Sequence, residues 1–224
     1  MRRLLAPPVV DEIERHLLRR PTRAEGAWPY ANSDEDAITV ELLSSLRMPR
    51  WRRVYTKAGV WRWRVTYKHL GGRARLEKHI GADGLIQIEV VFSERARRVS
   101  KGLLFQAKKR GATRWPELRT QIRKMERLAP GDTAVFEYGP RGYLAADARE
   151  VLRIETLPSQ GGLDSMEPVG PYLADRFLAC KVGLRGLYFD AVREILVFPR
   201  LSRSVTEVRA HLKHRLKIEV EAPR

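Results

Sequence analysis

Residues 81–109 read GADGLIQIEVVFSERARRVSKGLLFQAKK. Gly84 to Phe92 and Val99 to Phe105 are rich in Leu, Ile and Val, while Ser93 to Arg98 between them is polar and strongly charged. That pattern predicts strand, connection, strand. Antiparallel pairing across a connection of this length returns the Gln106 end of the second strand to the Asp83 start of the first. Side chains alternate along a strand, so Gln106 and Lys108 share a face and Ala107 points the other way, into the protein. A carboxylate, a carboxamide and an ammonium are thereby expected at one place.

The surroundings extend this reading. Asp34 to Arg47 carries Ile38, Leu42, Leu43 and Leu46 at helical spacing, with Ser33 or Asp34 as N-cap. Between residues 50 and 70, Trp61, Trp63, Val65 and Tyr67 alternate with Arg62, Arg64, Thr66 and Lys68, the period of a half-buried strand with aromatics on one face and cations on the other. Trp115 to Leu128 repeats Leu118, Ile122, Met125 and Leu128 as a helix does. Thr133 to Tyr138 and Gly142 to Ala145 then read as strands.

Gly81-Ala82-Asp83 followed by Gln106-Ala107-Lys108 resembles the two halves of the PD-(D/E)xK, or restriction-endonuclease-like, nuclease motif. The last acid is replaced by glutamine, similar to Mrr-type enzymes. The resemblance covers about residues 33–155 and implies an α/β fold with a mixed central sheet flanked by helices. It further implies metal-dependent hydrolysis of DNA phosphodiester bonds, in restriction or anti-phage defence.

Mg²⁺ or Mn²⁺ is the expected cofactor, because hard cations take oxygen ligands. Asp83 is the central ligand on this reading. The Gln106 side chain and the Ala107 backbone supply further oxygens, and Lys108 positions or deprotonates the attacking water. Glutamine removes one negative charge, so a compensating carboxylate is expected nearby. Glu35 on the preceding helix is chosen as a catalytic acid by the resemblance, and Glu77 is a further metal-ligand candidate. Asp36 and Glu89 read as solvated or capping acids.

The 43 Lys and Arg against 27 Asp and Glu give a formal charge of +16. Such an excess fits a polyanionic partner, DNA or alternatively RNA, through counterion release. Arg62, Arg64, Lys109 and Arg110 are the expected nucleic-acid contacts, and Arg114 and Lys124 could line the same groove. Gln121 on the following helix either faces the site or is merely exposed. Charge alone leaves open a nucleic-acid-binding subunit of a larger complex that lacks strong catalysis.

The single cysteine, Cys180, excludes an internal disulfide framework, and its apolar setting predicts a buried structural thiol. No phosphate-binding P-loop, dinucleotide glycine fingerprint or Gly-x-Ser-x-Gly elbow occurs. No apolar run approaches a membrane span, so a cytoplasmic location is expected. Residues 1–32 are read as an N-terminal extension, 33–157 as the nuclease-like core and 158–224 as C-terminal elements packing on it. Either a homodimer or a defence-system partner is expected. His211 and His214 stand three apart without nearby acids in sequence and read as surface histidines.

Overall fold

The computed structural model describes residues 1–26, 34–70, 80–92, 97–111, 115–140, 142–154, 166–199, 205–209 and 212–223. Helix α1 (Pro7–Arg19) begins on two prolines and buries Val9, Val10, Ile13 and Leu17 at helical spacing. Short α2 (Pro21–Glu25) follows. Helix α3 (Glu35–Ser45) is capped by Asp34, whose carboxylate accepts from the Asp36 N–H at 3.0 Å, and it buries Ile38, Leu42 and Leu43.

Strands β1 (Met48–Thr56) and β2 (Gly59–His69) form a hairpin. The alternation in β2 is realised: Trp61, Trp63 and Val65 are buried, while Arg62 and Lys68 are exposed. Strand β3 (Gly84–Phe92) pairs antiparallel with β4 (Arg97–Lys109), with Gly84 opposite Phe105. Helix α4 (Trp115–Leu128) then leads to β5 (Thr133–Gly139), parallel to β4, and β6 (Gly142–Asp147) returns antiparallel. Helix α5 (Ala148–Arg153) and β7 (Glu167–Pro168) close this half.

A π-helical turn over Tyr172–Leu178 precedes β8 (Leu184–Arg185), which pairs with β4. Strands β9 (Tyr188–Asp190), β10 (Ile195–Pro199) and β11 (Val205–Arg209) make a separate three-stranded sheet. The last strand, β12 (His214–Glu221), does not pack on the outside of the core. It lies inside the main sheet between β2 and β3, antiparallel to the first and parallel to the second. The main sheet runs β1-β2-β12-β3-β4-β5-β6-β7, so it is mixed and mostly antiparallel.

Alternation along β3 and β4 divides the interior into two apolar layers. Ile86, Ile88, Val90, Leu103, Phe105 and Ala107 pack with α1, α3 and the π-helical turn. Leu85, Leu104 and Val135 pack with Leu118, Ile122 and Met125 of α4 and with Leu196 and Phe198 of β10. Because β3 has a strand on each side and cover on both faces, its apolar run is continuous instead of alternating. Segments assigned from sequence to an extension, a core and an elaboration thus share common apolar layers. Among the described residues, no helix is long and apolar enough to cross a membrane.

Candidate active site

The site grows from the β3–β4 register. The Asp83 N–H donates to the Phe105 carbonyl at 2.9 Å, which extends the ladder one residue beyond β3 and puts Asp83 beside Gln106 and Ala107. Oδ2 of Asp83 accepts from the Ala107 N–H at 2.8 Å and from Nε2 of Gln106. That Nε2 also lies 3.3 Å from the Ala107 carbonyl oxygen. Two glycines allow the approach. Gly81 has φ of +76°, and a Cβ there would lie 2.2 Å from the Gln121 carbonyl oxygen; a Cβ on Gly84 would meet the Phe105 ring at 2.4 Å.

Lys108 completes the constellation through α3. Its Nζ donates to Oε1 of Glu35 at 3.2 Å, while Oε2 of Glu35 accepts from the Lys109 backbone N–H at 2.9 Å. Glu35 therefore grips the end of β4 with both carboxylate oxygens. The N-cap at Asp34 fixes the first turn of α3 and with it the place from which Glu35 reaches. Burial pushes the Asp83 carboxyl up to about 6; the Ala107 N–H, Lys108 and Lys213 pull it down, and Glu35 pushes it further up. The buried Tyr138 phenol feels the charges of Asp83 and Glu35, and burial holds its pKa well above the ordinary range.

Asp83, Gln106, Ala107, Lys108 and Glu35, named from sequence, are thus brought together. Glu77 and Arg114 lie outside the described residues. Gln121 is half-buried on α4 against Gly81, and its Oε1 has no hydrogen-bond partner among the described residues. Glu89 is not a solvated acid. It is buried and accepts from Lys217 at 2.9 Å, with Arg98 at 3.7 Å.

The expected nucleic-acid cations have partners of their own. Arg62 pairs with Glu221, and Arg64 with Glu219 at 2.7 Å; both guanidinium groups stack on Trp51, at 5.5 and 4.4 Å. Arg110 lies 3.9 Å from Glu137. The strand β12 supplies both acids facing Arg62 and Arg64, which the position of that strand in sequence does not reveal. Cys180 is half-buried, with φ of 64°, and touches the amino terminus of Met1 and Nζ of Lys101, the latter at 3.6 Å.

Asp36 and His214 depart most from expectation. His214 is buried, not a surface residue, and its Nε2 lies 2.9 Å from Oδ1 of Asp36. Nε2 of His69 lies 3.1 Å from the other oxygen, Oδ2. Burial holds the His214 imidazole down at about 4 despite the Asp36 charge, so the ring is neutral near pH 7. Its Nδ1 lies 2.9 Å from the Tyr67 hydroxyl. His211 lies outside the described residues. Comparison of the chain with protein-family models, with curated proteins and with solved structures finds no match.

Proposed function

We propose that the protein is a metal-dependent nuclease with a restriction-endonuclease-like core, which hydrolyses DNA phosphodiester bonds and serves in restriction or anti-phage defence. The observation that carries this reading is the convergence of Asp83, Gln106 and Lys108 from two paired strands with Glu35 from a helix. A net charge of +16 supports a polyanionic substrate.

The donor set fits Mg²⁺ or Mn²⁺. Asp83 and Glu35 press on each other's charge, and a hard divalent cation offsets that repulsion through oxygen ligands. Asp83 would hold it, with the Ala107 carbonyl and Gln106 as further oxygens. For Gln106 to offer oxygen its amide must turn over, because Nε2 faces Asp83. When bound, the metal supplies Lewis acidity and a more acidic coordinated water.

The chain's own groups do the rest. Ala107 N–H fixes Oδ2 of Asp83, and Oδ1 is the oxygen that would hold the metal. Lys108, mostly buried, brings an ammonium to the charge that grows on the phosphate and to the attacking water. Glu35 positions that ammonium, and the Lys109 N–H in turn holds Glu35. Phosphate contact beyond the scissile group is assigned to Lys109, Arg110, Arg62 and Arg64, where phosphate would compete with Glu137 for Arg110 and with Glu221 and Glu219 for the two β2 arginines.

One arrangement favours a second reading, a nucleic-acid-binding subunit with weak catalysis: Lys108 is engaged by Glu35, and Gln106 turns its NH₂ group, not its oxygen, toward Asp83. Plasmid DNA incubated with Mg²⁺ or Mn²⁺ separates the two. Cleavage that Asp83→Ala and Lys108→Ala both abolish supports the enzyme. Salt-sensitive binding to DNA without metal-dependent cleavage supports the subunit, and the same assay on RNA decides between the polyanions.

A further inference from the structure

Beside the hydrolytic pocket stands a second cluster of ligating groups that shares none of its side chains. Asp36 follows Glu35 in the first turn of α3. His69 ends β2 and His214 opens β12, and the two are directly opposite in the β2–β12 register. Cross-strand partners project to the same side. Their rings accordingly stack, with centroids 5.1 Å apart and planes 13° from parallel. Asp36 caps the pair, one carboxylate oxygen toward each Nε2 at 2.9 and 3.1 Å. One ligand atom from each of the three residues lies within 4.8 Å of the others.

We propose that Asp36, His69 and His214 form a binding site for a divalent transition metal of the zinc class, separate from the hydrolytic pocket. Two imidazoles and one carboxylate are a nitrogen-rich set that suits zinc and its neighbours better than Mg²⁺ or Ca²⁺. With metal–ligand bonds of about 2.0–2.1 Å, adjacent ligands stand about 2.8–3.4 Å apart, from octahedral to tetrahedral geometry. The His214 and His69 nitrogens stand at that scale from Oδ1 and Oδ2 of Asp36 respectively, so a chelating carboxylate suits the arrangement, and the three ligand atoms, within 4.8 Å of one another, draw together around the ion. His69, more than one third exposed, sits at the end of its strand and can make that movement.

The hydrogen bonding around His214 suits either state. Against Asp36 alone, Nε2 carries the proton and Nδ1 accepts from Tyr67. With a metal on Nε2, the neutral ring takes its other tautomer, its one proton standing on Nδ1 instead of Nε2, and Nδ1–H donates to the Tyr67 hydroxyl oxygen, the orienting contact that ligating histidines use. Asp36 and His69 are partly exposed, which provides an entry path and leaves coordination positions facing solvent, whereas His214 anchors the site from the interior. The backbone ties the two sites together, since the His214 N–H donates to the Asp83 carbonyl at 3.1 Å.

The full chain, stripped of metal with a chelator and dialysed, is titrated with Co²⁺ while visible absorption is followed, and Zn²⁺ is then added as competitor. The site predicts a Co²⁺ spectrum of nitrogen and oxygen ligation that Zn²⁺ displaces. His69→Ala and Asp36→Asn are expected to weaken the nitrogen-ligated Co²⁺ binding at least tenfold, and to do so equally in an Asp83→Asn background, which removes the central ligand of the hydrolytic pocket. His69 is exposed, so His69→Ala tests the site without disturbing the core. Absence of Co²⁺ binding overturns the proposal. So does binding that Asp83→Asn removes and His69→Ala spares, which would place the metal in the hydrolytic pocket.

Discussion

The backbone N–H of Ala107 donates to Oδ2 of Asp83 at 2.8 Å, joining Asp83 directly to the end of β4. Asp83 is held by the strand that carries Lys108, so movement of either strand end moves both groups. This coupling makes the arrangement sensitive to the residues that let the strands approach.

Asp83 should oppose folding stability when ionised. Its folded pKa, about 6, exceeds the ordinary 3.8, so the folded state binds the proton more tightly. The sign follows: stability falls as pH rises from about 4 through about 6, and the cost persists above that window. Asp83→Asn is expected to raise stability at pH 8 by about 1–2 kcal/mol, after allowance for partial solvent contact, with the gain shrinking toward pH 4. Urea denaturation at the two pH values checks this.

Gly81 is expected to be intolerant of any side chain. Its φ of +76° and the 2.2 Å approach of a would-be Cβ to the Gln121 carbonyl act together. Gly81→Ala should destabilise by about 2–4 kcal/mol and reduce activity further than stability explains, because Asp83 lies two residues on. Thermal unfolding beside the cleavage rate measures both effects.

Glu35 and Lys108 should separate activity from stability. Their pair is partly solvent-exposed, so Glu35→Gln is expected to change stability by about 1 kcal/mol or less. Its cleavage rate should fall about 10²-fold or more, as for loss of a group that positions an acid–base residue. Partial recovery of the rate in Glu35→Asp, which keeps the carboxylate, identifies positioning of the Lys108 ammonium.

Lys101 is buried among the carbonyls of Phe177 and Val182, with Nζ over the Phe177 ring at 4.1 Å. Burial lowers its pKa to about 8. Lys101→Ala removes the donor for both carbonyls and leaves a cavity, so a loss of about 2–4 kcal/mol is expected in denaturant unfolding.

What the sequence disclosed and what it hid follow from the range of the interactions. Gln106, Lys108 and Asp83 belong to one hairpin, where period and connection length suffice to place them. Helix α3 was legible from Asp34 and the spacing of Ile38, Leu42 and Leu43, and Glu35 with it. The insertion of β12 between β2 and β3 was not, because strand pairing over such separations leaves no local signal. With β12 hidden, so were the acids opposite Arg62 and Arg64 and the meeting of His69, His214 and Asp36. The pairing of His214 with His211 by proximity in sequence pointed away from its partner across the sheet.

The central claim is that Asp83 and Lys108 serve one metal-dependent hydrolytic pocket. Its most direct test is the single-turnover cleavage rate of a labelled DNA duplex with Mg²⁺ or Mn²⁺, for the wild type and for folded Asp83→Ala and Lys108→Ala. The account predicts metal-dependent cleavage that each substitution reduces to background. Cleavage that persists in Asp83→Ala, or a wild type that binds the duplex and leaves it intact with either metal, would contradict it.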